Sequence, residues 1–204
     1  MSIAIPTERE ILKWFLHTAV HTYHIEYYLQ QFQIGSEDPD RPHDIVHDGN
    51  KFEWEAVKGL ALQFKENETE DFSEEIKRSL EFHRQQYHHQ KWNQYYPNAT
   101  EDAMRVGAVD TVCSLLEPRT YQGGCHTFDQ IRRRASKNPI HKIAWMKLAV
   151  VEMEHITKPN LDEITSFSKI PKEGISAETH DTILDRVYEG LKVLEKDWGY
   201  KFKV

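Results

Sequence analysis

Two His-Asp pairs stand four residues apart in the stretch PHDIVHDGNKF, Pro42 to Phe52. A second histidine-rich stretch, FHRQQYHHQKW, follows about thirty residues later. Imidazole nitrogens and carboxylate oxygens together suit zinc, manganese, iron, nickel or cobalt. An adjacent His47 and Asp48 at a helix end can aim one nitrogen and one oxygen at a single point, and further ligands must then come from other helices. The chain offers His24, His83, the His88-His89 pair and Asp110. Of its twelve histidines, eight fall before residue 90, which places any metal chemistry in the first half.

Periodicity indicates the elements that carry these residues. Pro6 precedes Thr7, and Glu10 lies three residues after Thr7, a capping-box pattern that opens a helix running to about Phe32. Leu12, Leu16, Ala19, Tyr23 and Tyr27 supply its apolar side. His17, His21, His24 and Tyr28, spaced four, three and four, share one face. Gly35 and the run SEDPD end it. A short turn or helix carries RPHDIVHD, and Phe52 to Phe64 reads as another helix. Ser73 is placed to cap the next, with Ile76, Leu80, His83 and Tyr87 on its inner face. Pro97 stops that region and Thr100 starts a helix bearing Asp110 among Val109, Val112 and Cys113. Burying that carboxylate without a partner would be costly, and a metal is such a partner. A solvent-facing Asp110 is the plain alternative.

The second half reads as support. Thr127 and Gln130 form another capping box, Ile140 to His155 is helical and apolar, Ile164 to Gly174 is a polar loop, and Ser176 to Trp198 is a closing amphipathic helix. Alternating strand patterns are few, and no repeat stands out. The expected fold class is all-α: one domain over residues 1–204, with a metal-site core at about 15–120 and supporting helices at about 127–204.

Composition bounds the partners. The chain has 204 residues, with 39% hydrophobic and 29% charged, enough for a packed core rather than disorder. A formal charge of -7 argues against a general nucleic-acid surface. Cys113 and Cys125 cannot make a disulfide framework and read as reduced thiols. With no leader pattern and no run of eighteen apolar residues, the expectation is a soluble cytoplasmic protein without membrane partners. A homodimer is left open.

The order His, His-Asp, His, His, Asp over four helices resembles the HD superfamily of metal-dependent phosphohydrolases. The local words HIEYYL from His24, HDGNKF from His47, HRQQYHHQKW from His83 and AVDTV around Asp110 look like those of a bacterial family of HD-like proteins. Asn50 stands where that family often has Ser, and Tyr28 where Val is usual. The resemblance spans roughly residues 15 to 120. It implies an HD-like helical bundle with additional C-terminal helices and one or two divalent ions (Fe, Mn, Zn, Ni or Co). The ligand set it implies is His24, His47, Asp48, His83, Asp110 and one of His88 and His89. A small phosphorylated substrate, such as a nucleotide, would be cleaved by a metal-activated water. Lys51 and Arg84 would neutralise charge on the phosphate. A di-iron oxygenase or a non-catalytic metal-binding sensor are the rival readings.

Several features carry plainer alternatives. His43-Asp44 reads as a solvated turn or a partner that orients an imidazole. His17 and His21 read as a polar stripe satisfied by neighbours, one of them in reach of substrate. IRRRAS reads as a solvated helix face. Gly123-Gly124 makes a flexible loop that could close over a site.

Overall fold

The computed structural model describes residues 4–34, 47–65, 73–84, 101–117, 126–136, 142–161 and 163–203. Among them every regular element is helical: α1 (Glu8–Gln31), α2 (Trp54–Leu60), α3 (Ser73–His83), α4 (Glu101–Leu116), α5 (Phe128–Ser136), α6 (Lys142–Glu154) and α7 (Ala177–Trp198). No helix among the described residues is long and apolar enough to cross a membrane.

The fold is organised around α1. Its first half, with Ile11, Trp14, Phe15 and Ala19, packs against α2, α7 and the buried Phe167 and Ile170. Its second half, with Ile25, Tyr28 and Leu29, packs against apolar side chains of α4, α5 and α6. One helix thus belongs to two apolar clusters, and His21 and His24 lie where one gives way to the other. The capping box that opens α1 is formed: Thr7 Oγ1 accepts from the Glu10 N–H, and Glu10 Oε2 accepts from the Thr7 N–H at 2.7 Å. A second box opens α5, where Gln130 Oε1 accepts from the Thr127 N–H at 2.8 Å and Thr127 Oγ1 from the Gln130 N–H at 3.2 Å.

Two segments depart from the periodicity. Phe52 to Phe64 is not one helix but three pieces, with 3-10 turns at Gly49–Phe52 and Ala61–Phe64 flanking α2. Glu53 is extended, at φ -78 and ψ 148, and separates the first turn from α2. Gly59 lets α2 approach α3 closely, since a Cβ there would lie 2.3 Å from the Glu75 carbonyl oxygen. The segment read as a polar loop contains a 3-10 turn, Phe167–Lys169, which buries Phe167 and brings Ile170 into the core. The turn gives those two apolar side chains a direction inward that a count of polar residues does not show.

α7 ends as its sequence dictates. The Ser176 hydroxyl accepts from the Thr179 N–H, and Gly199 closes the helix at φ 71, a left-handed conformation glycine adopts without cost.

Candidate metal centre

Four ligand-capable side chains, His21, His47, Asp48 and Asp110, are buried together, with one donor atom from each lying within 4.8 Å of the others. They come from α1, from the turn preceding α2, and from α4.

The turn is fixed against α1 by three side chains of that helix. Thr22 Oγ1 donates to the His47 carbonyl at 3.1 Å, the His47 N–H donates to Glu26 Oε1 at 2.8 Å, and Trp14 Nε1–H donates to the Lys51 carbonyl at 2.9 Å. Between these attachments Asp48 adopts φ 62 and ψ 24. Asp tolerates this left-handed backbone better than most residues. The bend starts the 3-10 turn, in which the Lys51 N–H bonds the Asp48 carbonyl at 2.9 Å. It also turns the Asp48 side chain inward, where it is buried.

His21 Nε2 lies 3.3 Å from Asp48 Oδ2 and 3.3 Å from Asp110 Oδ1. His47 Nε2 lies 3.3 Å from Asp48 Oδ2 and 3.9 Å from Asp110 Oδ1. Donor atoms on a tetrahedral centre with bonds of about 2.0–2.1 Å stand roughly 3.3 Å apart, so three of the four spacings are those of ligands around one small cation. Asp110 also accepts from Ser114 Oγ at 3.3 Å, one helical turn along α4.

Further groups border this set. Lys51 Nζ bonds Asp48 Oδ2 at 2.5 Å. His83, at the end of α3, turns Nδ1 to Asn50 Oδ1 at 2.9 Å and Nε2 to Asp48 Oδ1 at 3.5 Å. Behind His21 stands Glu117, just past α4. Its Oε2 lies 2.9 Å and its Oε1 3.0 Å from His21 Nδ1, and Oε1 lies 2.8 Å from His24 Nδ1.

These neighbours displace the protonation equilibria of a site that burial alone would neutralise. Burial pushes the His21 imidazolium down, but Glu117 opposes it and, with Asp110 and Asp48, lifts the pKa to about 10. Burial raises the Asp48 carboxyl, and His47, Lys51 and His83 overcome this and hold it well below the usual carboxylate range. Burial likewise raises Glu117, and His21 and His24 bring it below its usual value. Lys51 stays a cation against burial because Asp48 and Asp110 face it. For His24 burial prevails, and its pKa is lowered.

The five expected ligands among the described residues fall into three groups. His47, Asp48 and Asp110 converge. His83 borders the group through Asp48. His24 is not part of the group: both rings turn Nδ1 to Glu117, but it is His21, one turn earlier, whose Nε2 meets Asp48 and Asp110. Lys51 reaches the group, whereas Arg84 is exposed at the end of α3 and is not brought to it. His88, His89, His43, Asp44 and the Gly123-Gly124 loop lie outside the described residues. IRRRAS lies on α5, where Arg132 pairs with Asp129 and Glu154 at the surface.

Neither Glu117 nor Glu26 stands in a motif of the sequence, and Asn50 enters there only as the residue in place of Ser. One signal for Glu117 exists: Asp110, Ser114 and Glu117 are spaced four and three, which aligns them on one helical face. Cys113, on the same helix, is buried and its thiol is pushed well up by burial, as suits an unreactive core cysteine. No protein-family model, curated protein or solved structure matches the chain.

Proposed function

We propose that this protein is a metal-dependent phosphohydrolase acting on a nucleotide or another small phosphate ester, with one divalent transition-metal ion held by His21, His47, Asp48 and Asp110. The observation that carries the metal reading is the spacing of two imidazole nitrogens and two carboxylate oxygens, buried on three elements at distances suited to one ion. Charge supports it. The buried Asp48, Asp110 and Glu117 carboxylates surround His21, whose second proton they stabilise, and a divalent cation would take the place of that proton.

A bound divalent ion supplies Lewis acidity and a water of lowered pKa. The chain's own contribution is positional. Asp48, bent inward by its left-handed backbone, holds its carboxylate between His21 and His47. Lys51, largely buried and kept protonated, places a positive charge beside Asp48, where it would meet a phosphate oxygen. The buried walls exclude bulk water and strengthen each of these charges.

The phosphohydrolase reading also draws on the resemblance to HD-type words, with His21 rather than His24 in the first ligand position. A second ion would draw on His83, whose Nε2 lies 3.5 Å from Asp48 Oδ1. That arrangement keeps an HD-like di-iron oxygenase as the second reading.

Metal analysis of protein purified without added metal tests the site. The wild type should carry a transition metal that His47→Ala and Asp48→Ala lose; equal metal content in all three rejects it. Divalent-metal-dependent release of phosphate from nucleotides or small esters is the expected activity. Paired iron with oxygen uptake and no ester cleavage would replace hydrolysis by oxidation.

A further inference from the structure

We infer that Glu117 is the positioning residue of this centre: it dictates which nitrogen His21 presents to the metal, and His24 anchors it in that task. The inference rests on the metal reading above and assigns a role to two residues outside the ligand set.

A buried carboxylate is stable only when its oxygens are bonded. Glu117 is 6% exposed, and its oxygens meet the Nδ1 atoms of His21 and His24 at 2.8–3.0 Å. An ionised carboxylate only accepts, so both Nδ1 atoms must carry hydrogen. When a metal displaces the second proton of the His21 ring, the nitrogen bared is then Nε2, the atom 3.3 Å from both Asp48 and Asp110. Glu117 thus excludes the tautomer that would point a hydrogen at the metal. Its negative charge also makes the imidazole a stronger donor.

His24 completes the device from one turn along α1. It supplies the second hydrogen bond that keeps the carboxylate from rotating away from His21. Its other nitrogen, Nε2, is buried without a hydrogen-bond partner among the described residues. Among the described residues, His24 therefore makes no bond that ties it to one tautomer apart from the one to Glu117.

This asymmetry defines an informative variant. In Glu117→Gln an amide oxygen in the place of Oε2 can still accept from His21, while the amide N–H₂ in the place of Oε1 faces His24 and borders His21. His24 can move its hydrogen to Nε2 and accept at Nδ1 without losing another bond. The variant should keep its fold and lose only the charge behind His21.

The test is zinc affinity, measured by competition with a chromophoric chelator, for wild type and Glu117→Gln, with circular dichroism reporting the fold. The expected result is a roughly 10–100-fold weaker zinc complex in a folded variant. Equal affinity in a folded variant overturns the role of Glu117 while leaving the metal centre standing. A wild type that binds no zinc overturns the metal reading, and this inference with it. Should Glu117→Gln fail to fold, the zinc-loaded wild type decides: long-range 1H–15N correlations of labelled histidines should show His21 with hydrogen on Nδ1 and zinc on Nε2. Zinc on Nδ1 of His21 overturns the inference.

Discussion

Glu26 never joins the ligand group, yet it determines where His47 can go. Its carboxylate takes the His47 backbone N–H in a buried setting. Removing it strands that donor away from water, so Glu26→Ala should cost about 1–3 kcal/mol in urea unfolding, and Glu26→Gln much less. Equal stability of Glu26→Ala and wild type would show that the turn is held otherwise. The His21–Glu117 pair makes a second prediction, for metal-free protein. Glu117 has a lowered folded pKa, so its contribution is present above 4.5 and falls away as pH drops below that value. His21 has a raised one, so its contribution is complete below 6.5 and is lost as pH climbs from there through about 10. Metal-free protein should therefore be most stable between these limits with respect to this pair. Urea midpoints should decline on the alkaline side, and the decline should flatten in Glu117→Gln.

Among the elements, α2 and α3 leave no room for added volume at Gly59. A methyl group on Gly59 would enter the backbone of α3 at Glu75 and the Ser79 hydroxyl. Ala is the better helix former by about 1 kcal/mol, so propensity alone favours the substitution. The close approach should reverse that sign: Gly59→Ala is expected to destabilise by about 1–3 kcal/mol, read as a lowered thermal midpoint. A raised midpoint would mean that α3 yields easily. What the sequence discloses follows the same division between local and distant causes. The Thr7–Glu10 and Thr127–Gln130 boxes are legible because all their atoms lie within one turn. His47 and Asp48 are legible because they are adjacent. The choice between His21 and His24 is not, since helical periodicity gives both rings one face. The landing point of the turn at 47–52 decides it, and that is set by Trp14, Thr22 and Glu26 far along the chain from it. Glu117 has no local mark beyond its register with Asp110.

At the scale of the molecule, the proposed ligands tie together parts that pack separately. His21 belongs to α1, Asp110 to the α4–α6 side, and His47 and Asp48 to the turn leading into α2. An ion bound there adds a cross-link to the native state alone, so it should stabilise by RT ln(1 + [M]/Kd), about 2.7 kcal/mol at a hundredfold excess over Kd. Zinc or manganese should raise the thermal midpoint of wild type and leave Asp110→Ala unchanged. An equal shift in both would assign the effect to binding elsewhere.

The double membership of α1 has a consequence for biosynthesis. In synthesis from the N terminus, α1 is made before the described helices that pack on it. Its second half waits for α4 to α6, and its first half waits for α7, near residue 198. Until those helices are made, α2 covers part of its first half and the rest of its apolar side chains stay exposed. The nascent chain should therefore depend on chaperone shelter until α7 leaves the ribosome.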